Sequence, residues 1–317
     1  MYADRIGKLC CSMDHQRDYN QLRGLTSINF PILKHYTLVA QAGHTSMPSI
    51  PLLGGSCPAL ISISVEGVPS YTPLKNLPSV RAMRISRNDV LSLEDIIGLR
   101  DMLTGTSVTH FELTIKGAEV IWPSNMTLEL PALQILCLHS YGDDVGLQAS
   151  GFVGSVYAPH LHTLVLRGDI YSDYDDILSL IAQMSDLPRK FPALRSLEYP
   201  RFIRDPIEIA RRVSRALPDI THLIHTEEDS LIDLLQENGD GGVLWPHLRI
   251  LSMKWNLHDD YYPFAKIIQL LAFRKSIGHP IETIRVRDMR IQRYILQLGA
   301  LVHIELLHGL FGLALST

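Results

Sequence analysis

Cysteine is scarce: Cys10, Cys11, Cys57 and Cys137 are the four in 317 residues, and no two form a C-x-x-C pair. That excludes a disulfide-stapled secreted scaffold or a cysteine-rich zinc module, and leads us to expect a reducing, cytoplasmic or nuclear setting. Basic charge is short as well. With 29 Lys and Arg against 33 Asp and Glu the net charge is −4, so composition makes no electrostatic case for nucleic acid. Long apolar runs are missing too. The most apolar stretch, LLHGLFGLALST, is about a dozen residues and falls short of a membrane helix. The opening MYADRIGKLCCSMDHQRDYN lacks the apolar core of an export signal. Catalytic signatures are also lacking: there is no H-E-x-x-H, G-x-S-x-G, Walker loop or dinucleotide glycine motif. The expectation is therefore a chain without enzymatic activity, cofactor or metal, acting on neither nucleic acid nor membrane.

What the chain has is a repeat. P-x-L-x-x-L-x-L, with apolar swaps, recurs as FPILKHYTL, CPALISISV, LPSVRAMRI, LPALQILCL, APHLHTLVL, FPALRSLEY, LPDITHLIH and WPHLRILSM. TSVTHFEL, PIETIRV and ALVHIEL repeat it without the proline in that slot. The first apolar positions run from Leu33 to Leu301 in ten steps of 20 to 33 residues, a mean of about 27, inside the leucine-rich-repeat range. In L-x-L alternate residues point the same way, so each copy reads as a short strand with one apolar face. One copy is too thin to bury that face, and stacked parallel copies supply the missing surface. Eight prolines (Pro31, Pro58, Pro78, Pro131, Pro159, Pro192, Pro218, Pro246) precede the first apolar position by two residues. There they are expected to end the preceding helix and lead into the strand.

Between copies the period changes to 3.6. Ile177, Leu180, Ile181 and Met184 share a helical face, as do Phe264, Ile267, Ile268 and Leu271. Asp205, Pro206 and Glu208 open a helix in DPIEIARRVSRAL, and Ser92 and Asp95 open another in SLEDIIGLRDML. The pattern predicts an α/β fold: an irregular leucine-rich-repeat solenoid of about eleven coils over residues 31–317. Its concave side is a parallel sheet, helices and loops occupy the convex side, and residues 1–30 form a poorly defined N-terminal segment. VRAMRISRNDV from Val80 to Val90 nearly completes the L-x-x-L-x-L-x-x-N-x-L template, and Asn256 fills the asparagine slot of a second copy. The final LLHGLFGLALST is expected to leave an apolar end prone to self-association.

These F/L/A/W-P-x-L-x-x-L-x-L units, with acidic segments such as SDYDDILSLI, resemble the divergent leucine-rich-repeat region of fungal F-box proteins, especially those of mushroom-forming fungi. The resemblance covers roughly residues 30 to 310 and implies target recognition for a cullin-type ubiquitin ligase. In that family an N-terminal F-box docks on the ligase adaptor. Residues 1–30 contain no L-P-x-E-[IL]-like opening, so an adaptor becomes a partner only if an F-box lies upstream of Met1. The alternative is a stand-alone scaffold or inhibitor-like repeat protein unrelated to ubiquitin.

Acidic runs at Asp173, Asp175 and Asp176 and at Asp259 and Asp260 read as helix-capping groups, and Asn238 to Gly242 as a flexible loop. His110, His222 and His303 read as strand-face residues. The candidate protein-binding positions flank the second and third apolar residues on the concave side. They are Arg84, Glu112, His139, Arg167, Glu198, Lys254, Arg285 and Arg287. Lys254, Arg285 and Arg287 predict a basic row facing an acidic protein segment.

Overall fold

The apolar triplets form strands whose alternate side chains are removed from water. The structure is a computed structural model that describes residues 3–13, 22, 24–25, 27–40, 50–51, 53, 56–67, 71–72, 77–87, 93–116, 122–123, 126–141, 146–168, 186–199, 206–225, 230–236, 238–239, 242–253, 264–286 and 298–306. It divides into two compact units, the first running to Leu161 and the second beginning at His162. The first unit contains β1 (Lys8–Met13), β2 (His35–Ala40), β3 (Ser62–Glu66), β4 (Ala82–Arg87), β5 (His110–Lys116) and β6 (Ile135–Tyr141). Each pairs in parallel with the next. The second unit contains β7 (Thr163–Gly168), β8 (Ser196–Tyr199), β9 (His222–His225), β10 (Ile250–Met253), β11 (Thr283–Val286) and β12 (His303–Leu306), again parallel throughout. An α/β fold built on parallel strands is thus what the repeat produces.

Burial follows the triplets. Leu33, Tyr36 and Leu38 are buried, as are Leu60, Ile63 and Val65, and the same three slots recur as Leu133, Leu136 and Leu138 and as Leu248, Leu251 and Met253. Residues 1–30, expected to be poorly defined, contribute a further strand. β1 pairs with β2 in the register Lys8↔His35 to Met13↔Ala40. Ile6, Leu9 and Cys11 stand at the triplet spacing, but a cysteine in the third slot hides the likeness.

The prolines work differently from expectation. At seven of the eight, Pro218 being the exception, the carbonyl of the residue before proline accepts the N–H of the first apolar residue, as Phe30 does from Leu33 at 3.3 Å, Cys57 from Leu60 at 3.1 Å, Leu130 from Leu133 at 3.1 Å, and Trp245 from Leu248 at 3.0 Å. Proline is therefore the second residue of a β-turn, where its fixed φ is pre-set, and the strand begins later. Just after the turn one carbonyl serves two donors of the next strand. Lys34 O accepts Ile61 N at 2.9 Å and Ser62 N at 3.0 Å, and the fork repeats at Arg81, Thr109, Arg195, Thr221 and Arg249. Forks satisfy main-chain donors where the chain bends into the sheet.

Helices close over the apolar side. In the first unit α1 (Leu93–Thr104) buries Ile96, Leu99, Met102 and Leu103, and α2 (Gly146–Ser155) sets Phe152 5.8 Å from Phe111 of β5 and 4.9 Å from Trp122. Asp95 was expected in a capping arrangement. It lies buried instead, and its carboxylate accepts two bonds from Arg87 at 3.2 and 3.4 Å, tying α1 to β4. The second unit contains α3 (Leu187–Lys190), α4 (Pro206–Ala216), α5 (Ser230–Leu235) and α6 (Phe264–Ser276). α4 starts on Pro206, as its sequence dictates. α6 buries Ile267, Leu270 and Leu271. Its Arg274 donates to the carbonyls of His279 at 3.0 Å, Leu244 at 2.8 Å and Trp245 at 2.9 Å. Burial pushes this guanidinium down to about 10, so it stays charged at neutral pH while holding Trp245 at φ 43°. The segment expected to be a flexible loop makes a hairpin, with Asn238↔Val243 and Gly239↔Gly242 antiparallel and Gly242 at φ 77°. The helix expected around Ile177 to Met184, the asparagine slots Asn88 and Asn256, and the acidic runs lie outside the described residues.

Candidate functional site

Turning every triplet inward leaves the intervening residues on the opposite strand face, and parallel pairing lines them up in rows. In the first unit Arg84 stands in register with Glu112, and Arg84 Nε lies 3.2 Å from Glu112 Oε1. His139 Nε2 is 3.8 Å from the same oxygen. Glu112 and His139 are buried, whereas Arg84 is exposed.

The second unit presents two carboxylate–guanidinium pairs. Arg167 Nε donates to Glu198 Oε1 at 2.7 Å and Nη2 to Oε2 at 3.2 Å, a two-pronged contact. Glu198 is 1% exposed while the Arg167 side chain is 35% exposed, so the arginine covers its own partner. Arg285 stands in register with Glu305 and donates from Nε to Oε2 at 2.7 Å. That hydrogen bond, backed by the charges of Arg285, His303 and His222 and opposed by desolvation, holds the Glu305 carboxyl below the usual carboxylate range. Between the pairs His222 Nδ1 lies 3.1 Å from Ser196 Oγ and Nε2 lies 2.7 Å from Ser252 Oγ.

This contact superficially resembles a nucleophile beside its base. Ser252 is fully buried, however, and the other imidazole nitrogen lies against the Ser196 hydroxyl. The geometry suits a fixed hydroxyl–imidazole–hydroxyl chain better than acyl transfer. Thiol chemistry is equally unfavoured at Cys57 and Cys11. Burial raises both, with Cys10 adding to the effect at Cys11, and the protonated thiol is a poor nucleophile. Among the described residues no three His, Cys, Asp or Glu side chains are grouped to hold a metal, and no helix is long and apolar enough to cross a membrane.

Of the eight sequence-derived positions, the structure brings together Arg84, Glu112 and His139, and pairs Arg167 with Glu198. Lys254 and Arg287 lie outside the described residues. Glu112, His139 and Glu198 were read as exposed and are buried, because long partners on neighbouring strands fold across them. Arg285 was read as part of an unbalanced basic row, yet Glu305 neutralises it within the chain. Glu305, Ser196 and Ser252 were missed. The signal for Glu305 was available, since in ALVHIEL it fills the slot that Arg84, Glu112, Glu198 and Arg285 occupy in their own copies.

No family model matches the chain, and no curated protein matches its sequence.

Proposed function

We propose that the chain is an irregular leucine-rich-repeat module of about eleven coils that binds a protein partner through its polar strand face, without a cofactor. The repeat reading is supported by the mean period of about 27 residues, the buried triplets, the recurring proline turns and the forked carbonyls. The binding reading rests on one observation: Arg167–Glu198 and Arg285–Glu305 are held by hydrogen bonds on the strand face, with the arginines half-buried. Side chains already ordered lose less entropy when a partner docks, and their alternating charge selects among partners. The resemblance to fungal F-box proteins points to target recognition for a ubiquitin ligase, with the ligase adaptor as a second partner where an F-box accompanies the repeats.

The test is affinity purification of the tagged full chain with mass spectrometry, alongside Arg167→Glu and Arg285→Glu. A recurrent protein retained by the parent and lost from both variants, with unchanged thermal melting, is the expected result. Ligase subunits in the same eluate support the ubiquitin role, and their absence beside a recurrent target favours a stand-alone scaffold. A recurrent partner held equally by parent and variants removes the strand face as the site.

A further inference from the structure

In the second unit the arginines, glutamates, serines and His222 of the strand face bond one another. The first four strands of the first unit are different. Their parallel register sets Lys8, His35 and Ser62 in one row of the strand face and Thr37, Ser64 and Arg84 in the next. The ammonium of Lys8, the imidazole of His35 and the hydroxyls of Thr37, Ser62 and Ser64 have no hydrogen-bond or ion-pair partner among the described residues. Arg84 is held at Nε, 3.2 Å from Glu112 Oε1, and its Nη1 and Nη2 have no partner among the described residues either.

Ser62 makes the arrangement hard to read as ordinary wet surface. It is 8% exposed, and a hydroxyl so far removed from water without a partner costs about 1–3 kcal/mol unless something accepts its proton. The short side chains Thr37, Ser62 and Ser64 form a floor, and the exposed cations Lys8 and Arg84 stand on either side of it. Three strand spacings, about 15 Å, separate the backbones of those two cations, a span that two long side chains and one tetrahedral group fill. Glu66, two residues beyond Ser64 on the same face, is also unpaired among the described residues and repels an anion at the strand ends. An anion therefore belongs at the strand starts, over the hydroxyls. A carboxylate has two oxygens, too few for so many donors. A phosphoryl group brings three strong acceptor oxygens and close to two negative charges, and the paired Nη nitrogens of a guanidinium match it fork to fork.

We propose that β1 to β4 bind a phosphoryl group, as inorganic phosphate or on a phosphorylated side chain, over the hydroxyls of Thr37, Ser62 and Ser64 between Lys8 and Arg84. The site belongs to the first unit and does not rest on the arginine pairs of the second.

Isothermal titration calorimetry of the full chain tests it with sodium phosphate, against sodium chloride of equal ionic strength, and with a phosphoserine peptide beside its unphosphorylated twin. Saturable phosphate or phosphopeptide binding is expected, with affinity falling about tenfold or more in Arg84→Gln, which loses a charge-assisted fork. Lys8→Gln and Thr37→Val/Ser64→Ala should each weaken it. Arg249→Gln removes an exposed cation of the second unit and should leave it unchanged. If circular dichroism shows that Arg84→Gln unfolds because Glu112 loses its partner, Ser64→Asp takes its place by setting a carboxylate in the floor. A phosphopeptide that binds more tightly than both phosphate and its unphosphorylated twin makes a phosphorylated protein the source; one that binds no better than phosphate makes it the free anion. Absence of saturable binding by both probes, equal binding of the two peptides without saturable phosphate binding, or affinity indifferent to Arg84→Gln and Ser64→Asp overturns the proposal.

Discussion

A methyl group added at Gly151 would stand 2.7 Å from Cβ of Trp122, closer than two carbons tolerate. Helix propensity alone favours alanine over glycine inside a helix by about 1 kcal/mol. Packing opposes it here, and Trp122 is in turn fixed edge-on against Phe152. Gly151→Ala is therefore expected to destabilise by about 1–3 kcal/mol, since the tryptophan has to shift within a filled core. Urea unfolding decides the sign, and a stabilised variant would mean that the α2–Trp122 contact is wrong. Glu305 carries a second prediction at this scale. Its folded-state pKa lies below the ordinary value of 4.5, so the Arg285 pair contributes stability above that value and loses it as pH falls through the lowered one. Melting temperature should drop less in Glu305→Gln than in the parent between about pH 5 and about pH 3. Parallel slopes for the two proteins would show that the pair contributes nothing to folding.

A strand of four to seven residues cannot hold itself together, so the stability of these elements lies in what their triplets bury. Leu164 occupies the second slot of its copy and is fully buried. Leu164→Ala should cost about 2–5 kcal/mol in denaturant unfolding, and a loss under about half a kcal/mol would contradict the register. The same register decides which polar residues meet. Arg285 finds Glu305 because β11 and β12 pair in the register that sets the two opposite each other, and a slip of β12 by one residue would turn Glu305 toward the core. Asp95, expected to open a helix, instead holds an element end. Arg87 and Asp95 tie β4 to α1 through a buried ion pair, and breaking such a pair leaves one charge stranded away from water.

Across the whole molecule the repeat was legible because it is local. Apolar residues at slots one, four and six, with proline two before the first, determine a turn, then a strand, then which of its faces is buried, whatever the distant chain does. Those slots predicted parallel strands and a buried set that runs from Leu33 to Val286, whereas Leu301 and Ile304 of the last copy are only half-buried, and Pro206 announced the start of α4. β1 escaped because its copy lacks the leading proline, Asp4 standing in that slot, and has Cys11 in the third slot. The charged face was legible only as a list of positions. Sequence marked Arg167, Glu198 and Arg285 as lying off the core, but their partners come from residues 31 and 20 positions away, through pairing between successive coils. Whether a charge on that face is free or neutralised depends on which side chain the next strand sets beside it, at a spacing of about 5 Å. Burial of Glu112 and Glu198 has the same origin, since a carboxylate leaves water only when a neighbouring strand brings a cation to it. The sequence by itself determined the period, the turns and the apolar face, because each arises within a single copy. Only the tertiary structure decided which charges cancel, because that requires two copies in register.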